Sequence, residues 1–217
     1  MIQGIIFDLD GVIVATDEFH YRGWQRLADE EGVYFDRTIN LRLRGVSRMG
    51  SLDILLERAA RRYTAAEKET LAARKNGYYR ALLPTLTPAD LLPGVRRLLD
   101  ELRARGVKQA IGSSSRNCPA ILEYIGLATF FDAVVDGNDI HHGKPDPEVF
   151  LLAAQALGLP PAACLVVEDA EAGVSAGLAG GMLVLAVGAA ASDPRAHARA
   201  PDLSGLSASD LLAIGAK

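Results

Sequence analysis

The sequence predicts an α/β fold with a parallel sheet and an α-helical unit inserted after the first strand. Beyond residue 93, short apolar strands alternate with amphipathic helices, which is typical of right-handed crossovers in a parallel sheet. Between residues 16 and 88 the pattern is helical throughout, without a convincing strand. We therefore predict a core domain at 1–14 and 89–217 and a helical cap domain at 15–88.

The first strand is predicted at residues 2–8, which are apolar on both faces, as central parallel strands are. Three helices follow in the inserted unit. The first has Thr16 as its candidate cap, and the third opens at Thr64 and Glu67, which have capping-box spacing. The second is predicted from apolar residues at helical spacing between 52 and 60.

The core continues with alternating elements, read from apolar stripes, cap residues and short apolar runs. Strands are predicted at 107–112, 133–135, 164–167 and 182–187. Helices are predicted from Pro93 to Gly106, after the candidate cap residue Asn117, at 148–158, at 170–179 and at 207–214. The stretch 190–200 is predicted to be a surface loop.

Composition and charge exclude several classes of protein. The net charge of -4, from 23 basic and 27 acidic residues, disfavours a nucleic-acid surface. The longest apolar run, 182–191, is shorter than the roughly 20 residues of a membrane helix. Cys118 and Cys164 lack metal-ligand spacing and suit a reducing compartment. No targeting segment precedes the first strand, so we expect a cytoplasmic location. We also expect a monomer that binds neither membranes nor nucleic acid.

Residues able to do chemistry stand where the predicted strands end. Asp8 and Asp10 follow the first strand, the polar run 113–117 follows the second, and Glu168 and Asp169 follow the fourth. Lys144 lies between them in a loop stiffened by two prolines. Because the carboxyl ends of parallel strands share one edge of a sheet, we expect these side chains to converge.

Such a cluster suits phosphoryl transfer. Two crowded carboxylates, Asp8 and Asp10, must hold a cation or share a proton. Asp8 and Asp169, with a backbone carbonyl, would bind a divalent cation, while Lys144 and a serine would balance phosphate oxygens. In isolation, Lys144 reads as a solvated lysine, the serines as a turn and Glu168-Asp169 as a helix cap. Their joint occurrence at strand ends favours the catalytic interpretation.

The motifs Asp8-x-Asp10-Gly11, the serine-bearing run, Lys144 and Glu168-Asp169 resemble, in order, the four signature motifs of the haloacid dehalogenase superfamily. The resemblance spans essentially the whole chain and implies a Rossmann-like core with a helical cap. It also implies that Asp8 is a nucleophile forming an aspartyl phosphate and that Asp10 is a general acid/base. The implied Mg²⁺ ligands are Asp8, the backbone carbonyl of Asp10, Glu168 and Asp169. The presence of Asp10 favours phosphoryl transfer over dehalogenation.

The inserted unit resembles the phosphosugar mutases of this superfamily, through Thr16-x-x-x-His20-x-x-x-Trp24, the run 43–52 and the run 74–76. The resemblance implies interconversion of β-D-glucose 1-phosphate and glucose 6-phosphate through β-glucose 1,6-bisphosphate, which also primes the enzyme. The implied catalytic residues are Asp8, Asp10, Thr16, His20, Ser113 and Lys144. The implied substrate-binding residues are Trp24, Leu43, Arg44, Gly45, Val46, Ser47, Arg48, Ser51, Lys75, Ser114, Ser115, Arg116 and Asn117.

Three hypotheses about function stay open at this point. A mutase needs a second phosphate site, which Arg48, Arg116 and Asn117 suit. A sugar-phosphate phosphatase of the same superfamily would need only one phosphate site and water as acceptor. A catalytically silent sugar-phosphate-binding protein is disfavoured by the presence of all four motifs. Cap closure would exclude water, with hinges expected near 14–16 and 84–88.

Overall fold

Six strands form one parallel sheet, in the order β3-β2-β1-β4-β5-β6. The protein is described by a computed structural model that covers residues 1–215, so 216 and 217 of the predicted core domain lie outside the described residues. The strands are β1 Gly4–Phe7, β2 Lys108–Gly112, β3 Ala133–Val135, β4 Cys164–Glu168, β5 Leu183–Ala186 and β6 Ala198–Arg199. The predicted parallel α/β fold is thereby confirmed.

Nine α-helices connect and cover these strands within the described chain. They are α1 Asp17–Glu31, α2 Arg37–Leu41, α3 Arg48–Leu56, α4 Ala65–Arg80, α5 Val95–Ala104, α6 Cys118–Tyr124, α7 Glu148–Leu157, α8 Glu171–Ala179 and α9 Ala208–Leu212. Short 3-10 turns add to them at Leu83–Thr85, Pro88–Asp90, Pro161–Ala163 and Gly188–Ala190. Among residues 1–215, none of these helices combines the length and apolarity needed to cross a bilayer.

The sheet is apolar on both faces because successive side chains of a strand point to opposite sides. Ile5 and Phe7 of β1 belong to one buried cluster, and Ile6 between them belongs to the cluster on the other face. β1 pairs with β2 and β4, so that Phe7 lies beside Ile111 and Val167. The ends of these three strands therefore meet at the middle of one sheet edge.

The segment between β1 and α5 is helical and builds an apolar cluster of its own, centred on Trp24, Leu27, Leu52 and Leu55. Its longest helices, α1 and α4, pack against each other. A separate cluster lets this unit hold its shape while it covers the carboxyl edge of the sheet. This arrangement suits the predicted cap, whose boundaries at 15 and 88 stay a prediction.

Most predicted elements occur within two residues of their expected bounds, and the capping box at Thr64 and Glu67 is confirmed. Two residues predicted to cap helices do not cap them through their side chains. Thr16 and Asn117 precede their helices but make no side-chain capping bond, because Thr16 binds Asp10 and Asn117 binds Asn76.

Two boundaries were also wrong. The helix predicted from the apolar stripe at 52–60 is α3, which begins at Arg48 and ends at Leu56, so the stripe does not extend to residue 60. The short helix α2 before it was not predicted. The strand β6 lies inside the predicted loop 190–200. A strand of two residues is too short to show alternation, and it is defined only by its pairing with Leu185 and Ala186.

Candidate active site

A cavity of about 590 Å³ lies between the carboxyl edge of the sheet and the helical unit. All the catalytic, substrate-binding and metal residues predicted above line it, with the exception of Thr16 and Glu168. Those two are completely buried, and each bonds to a residue that does line the cavity. The parallel topology therefore brings together residues more than 150 positions apart in the chain.

Lys144 is the central cation of the sheet edge. Its Nζ donates to Asp8 Oδ1 and to Glu168 Oε1, both at 2.7 Å, and all three residues are buried. Burial opposes the charge on the lysine, but the two carboxylates outweigh it and raise the pKa of Lys144 above its ordinary value. Lys144 is therefore held protonated beside the predicted nucleophile.

Glu168 is fully occupied by this network. Its Oε1 accepts a hydrogen bond from Lys144, and its Oε2 accepts the Ala170 backbone N–H at 2.8 Å. Gly173 makes room for this carboxylate, because a Cβ on that residue would overlap the Glu168 side chain. We therefore see Glu168 as the residue that orients Lys144, and direct metal binding by Glu168 stays a prediction.

The acidic groups at this edge fit a divalent cation. Carboxylate oxygens of Asp8, Glu168 and Asp169 lie within 4.8 Å of one another. Asp169 accepts no hydrogen bond from residues 1–215, and burial followed by the charges of Glu168 and Asp8 raises its pKa to about 9. The Asp10 backbone carbonyl also accepts no hydrogen bond from the described backbone. Hard oxygen donors without partners are the ligands that Mg²⁺ and similar ions prefer.

The pKa values of the two aspartates in the opening motif are shifted in opposite directions. Burial raises the pKa of Asp8 to about 7, although Lys144 acts against the shift. Burial acts on Asp10 in the same direction, but the neighbouring His20 and a hydrogen bond from Thr16 hold its pKa below the ordinary value. Such separation of two neighbouring carboxyl groups is typical of a divided acid/base task. The lowered pKa keeps Asp10 ionised at neutral pH, whereas Asp8 needs positive charge beyond that of Lys144 to ionise fully.

The helical unit presents His20 to Asp10, with the His20 Nε2 atom 3.8 Å from Asp10 Oδ1. The other ring nitrogen, Nδ1, lies 2.9 Å from Lys75 Nζ. Lys75 is buried over the ring of Trp24, at 4.6 Å from its centroid. Burial and the nearby Arg48 guanidinium lower the pKa of Lys75 to about 7. The predicted cap residues Trp24, His20 and Lys75 therefore form one continuous wall of the cavity.

Two guanidinium groups share the far part of the cavity wall. Arg48 begins α3, and Arg116 precedes α6, and neither has a carboxylate within 4.0 Å among the described residues. Burial first, and then the charge of Arg116, lowers the pKa of Arg48. Two cations that line one cavity without a carboxylate partner have the charge and the donors that an anion such as phosphate requires.

The serine run after β2 forms a turn that is ordered by its own side chains. Ser113 Oγ accepts the Ser115 N–H at 3.0 Å, and Ser115 Oγ accepts the Asn117 N–H at 3.3 Å. The turn interpretation and the site interpretation are therefore compatible, since the same serines line the cavity. Ser114 reaches the helical unit, with Oγ 3.5 Å from the Gly45 carbonyl.

The helical unit touches the sheet edge through small residues and few polar pairs. Asn117 Nδ2 donates to Asn76 Oδ1 at 2.9 Å, and Arg44 Nη1 lies 3.8 Å from Asp169 Oδ2. Gly143 lies against Ser47, where a Cβ would approach the Ser47 Cβ to 2.9 Å. Polar contacts across the cavity are therefore few, and the apolar contact between the two parts lies where Tyr79, Leu83 and Leu86 join the buried cluster of the core.

The sequence interpretation assigned no site role to three residues near the site. Asp17 pairs with Arg44, and Asn76 bonds Asn117 across the cavity. Tyr79 stacks on His20 with ring centroids 4.1 Å apart. Helical spacing from Lys75 offered a signal for Tyr79, because residues four apart share one face of a helix.

Comparisons with known proteins agree with this geometry. A family profile described as haloacid dehalogenase-like hydrolase matches residues 2–181. The β-phosphoglucomutase of Bacillus subtilis is 46% identical over 189 residues, covering 86% of this chain and 84% of its own. A crystal structure of β-phosphoglucomutase from Clostridium difficile superposes with a TM-score of 0.90 at 35% identity, covering 95% and 94% of the two chains. The fructose-1-phosphate phosphatase YqaB of Escherichia coli is 34% identical, covering 82% of this chain and 93% of its own.

Proposed function

The chain belongs to the haloacid dehalogenase-like hydrolase family, and on that basis we propose that it is a β-phosphoglucomutase. It interconverts β-D-glucose 1-phosphate and glucose 6-phosphate. The relatives of Bacillus subtilis and Clostridium difficile named for this activity support the proposal. The observation that carries it is the pair Arg48 and Arg116, which supplies an anion site in the same cavity as Asp8. A mutase needs two phosphate sites, because its bisphosphate intermediate must bind in two orientations.

In this proposal Asp8 attacks the phosphorus of a bound sugar phosphate and forms an aspartyl phosphate. The P–O bond to the donor sugar breaks, and Asp10 in its protonated form gives a proton to the leaving sugar oxygen. Asp10 takes the proton of the accepting sugar hydroxyl as the new P–O bond forms and the bond to Asp8 breaks. Lys144, 2.7 Å from Asp8, neutralises charge on the transferring group. The distant phosphate is held by Arg48 and Arg116. β-Glucose 1,6-bisphosphate is both the intermediate and the priming donor.

We propose Mg²⁺ as the cation of the acidic cluster. Asp8, Asp169 and the Asp10 carbonyl would hold it, with Glu168 fixing Lys144 beside them. When bound, it supplies positive charge that favours the ionised form of Asp8 and offsets repulsion between the carboxylate and the phosphate. Its presence is consistent with the raised pKa values of Asp8 and Asp169, because each of these groups lacks a sufficient neighbouring cation.

We also propose that residues 15–88 act as a cap that opens for substrate exchange. The sparse polar contacts across the cavity support easy separation, and hinges at 14–16 and 84–88 would join the cap to the core. Closure excludes water, so that transfer to a sugar outcompetes hydrolysis. A cytoplasmic location and a monomeric state stay predictions from the sequence.

The test is an anomer-resolved assay by ³¹P NMR. Purified protein is mixed with β-glucose 1-phosphate, Mg²⁺ and a trace of β-glucose 1,6-bisphosphate. We expect glucose 6-phosphate to accumulate with little inorganic phosphate, and we expect α-glucose 1-phosphate to stay unchanged. Sustained release of phosphate without glucose 6-phosphate would contradict the proposal.

A second candidate is a sugar-phosphate phosphatase of the same family. The similarity to the fructose-1-phosphate phosphatase of Escherichia coli favours it, since that relative aligns over 82% of this chain. The same Asp8 and Asp10 would serve, with water as the acceptor. A panel of sugar phosphates without bisphosphate, followed by phosphate release, separates the two candidates.

A further inference from the structure

The loop after β3, residues 136–139, is bonded to the segment that carries Arg116. The Arg116 Nε atom donates to the Gly137 carbonyl at 3.0 Å, and Asn138 Nδ2 donates in return to the Arg116 carbonyl at 3.2 Å. The Gly137 N–H also donates to the Ser115 carbonyl at 3.3 Å. Three hydrogen bonds therefore join two loops that follow the neighbouring strands β2 and β3.

The loop 136–139 is held in one shape by Asp136, which is buried. Asp136 Oδ1 accepts the Asn138 N–H at 2.7 Å and Asn138 Nδ2 at 2.9 Å. The Asp136 N–H donates to Asp139 Oδ2 at 2.8 Å. Gly137 lies so close to the loop after β2 that a Cβ would approach the Ser114 carbonyl oxygen to 2.4 Å. A larger residue would force the two loops apart, so the glycine permits their contact.

This contact restricts a side chain that would otherwise move freely. Arg116 is exposed and lines the cavity. A free arginine side chain samples many rotamers, and a phosphate that binds it must restrict them. Because Nε is bonded to the loop, the guanidinium plane is restricted before a phosphate arrives. The two Nη atoms donate no hydrogen bond within residues 1–215, so they remain available for a bidentate contact with phosphate oxygens.

We infer that Asn138 is a positioning residue for the second phosphate site. Its amide ties the Arg116 backbone to the loop 136–139 and thereby keeps the Gly137 carbonyl against Arg116 Nε. Asn138 is exposed and does not line the cavity, so it acts on the phosphate through Arg116 and not by contact. The inference rests on the proposed function, because it concerns the site that holds the second phosphate.

The experiment compares Asn138→Ala with Gln25→Ala. Gln25 also uses its amide in two side-chain hydrogen bonds, with Tyr21 and Asp29, but these lie on α1 outside the cavity lining. Binding of β-glucose 1,6-bisphosphate is measured by calorimetry in an Asp8→Asn background, which lacks the nucleophile. We expect Asn138→Ala to raise the Kd about fivefold, the effect of losing one hydrogen bond, and Gln25→Ala to leave the Kd unchanged.

Coupling to Arg116 separates positioning from a general structural effect. In an Arg116→Ala background, Asn138→Ala should change the Kd by less than about twofold, since the guanidinium to be positioned is gone. With Asp8 intact, Asn138→Ala should change phosphorylation of Asp8 by acetyl phosphate by less than about twofold, because this donor has no second phosphate to bind.

Four results would overturn the inference. They are an unchanged Kd in Asn138→Ala, an increase in Kd that persists without Arg116, a fivefold loss in the reaction with acetyl phosphate, and no measurable binding of the bisphosphate. The mutase proposal is tested separately. If wild type only hydrolyses phosphate esters, that proposal fails, but the same Kd ratios still test the role of Asn138.

Discussion

Replacing Lys144 with methionine isolates the electrostatic role of the buried lysine, because methionine keeps an unbranched chain of similar length and removes the charge. The lysine makes two 2.7 Å contacts, to Asp8 and Glu168, and is 3% exposed. Removing one partner of a buried ion pair costs about 3–5 kcal/mol, since the remaining charges lose their compensation. We expect a loss of this size in the free energy of unfolding at pH 7.5.

The loss should depend on pH in a defined direction. Asp8 and Asp169 have folded-state pKa values of about 7 and about 9, above their ordinary value. A carboxyl group with a raised folded pKa destabilises the protein as pH rises above its unfolded value, and the penalty disappears as pH falls. Without Lys144 the pKa of Asp8 rises further, because the lysine acts against its shift. The Lys144→Met loss should therefore be markedly smaller at pH 5 than at pH 7.5.

The assay is urea unfolding in EDTA, followed by circular dichroism at both pH values. Lys68→Met is the matched control, because Lys68 contacts Asp53 at the same distance of 2.7 Å on the exposed surface. Exposed pairs contribute little, so the control should unfold like wild type at both pH values. Equal losses for Lys144→Met at pH 5 and pH 7.5, or a loss below about 1 kcal/mol at pH 7.5, would refute the reasoning.

Three further outcomes are expected. Arg48→Ala should lower mutase turnover about 30-fold, which is the equivalent of about 2 kcal/mol for a charged hydrogen bond. Phosphorylation of Asp8 by acetyl phosphate should stay within about threefold of wild type. Equal losses in both reactions would place Arg48 outside the second phosphate site. Burial lowers the pKa of Lys75 to about 7, so this residue loses its charge as pH rises from 6 to 8. Over that pH range, KM for β-glucose 1-phosphate should rise in wild type and stay constant in Lys75→Gln. Saturating Mg²⁺ at about 100 Kd should stabilise wild type by about 2.7 kcal/mol in calorimetry, and a similar gain in Asp169→Asn would exclude Asp169 as a ligand.

The sequence alone predicts the sheet and the residues at its edge, because topology decides where strand ends meet. Asp8, Lys144 and Asp169 are far apart in the chain, yet each follows a strand or a rigid loop whose place in a parallel sheet is predictable. No side-chain detail is needed for that step. The same argument explains why the strand ends were placed better than the helix caps.

Contacts between the helical unit and the core could not be predicted in this way. Thr16 and Asn117 stand at helix starts, and local chemistry favours capping. Their side chains instead bond to Asp10 and Asn76, which lie elsewhere in the chain. The local sequence shows which nearby groups a side chain can bond. Whether the side chain bonds a nearby group or a distant one depends on how the folded elements pack. Tyr79 was missed for the same reason, since it contacts the site through its stacking on His20, which lies on another helix.

The central place of β1 in the sheet has a consequence for how the chain folds. Its neighbours β2 and β4 begin about 100 and 160 residues later, at Lys108 and Cys164. During synthesis β1 therefore emerges long before either neighbour. Its apolar residues stay unpaired while α1–α4 form local contacts. Pairing over such separations makes folding slow, so the sheet should be the last part to form. A nascent chain that stops before Cys164 leaves one edge of β1 unpaired and available for aggregation.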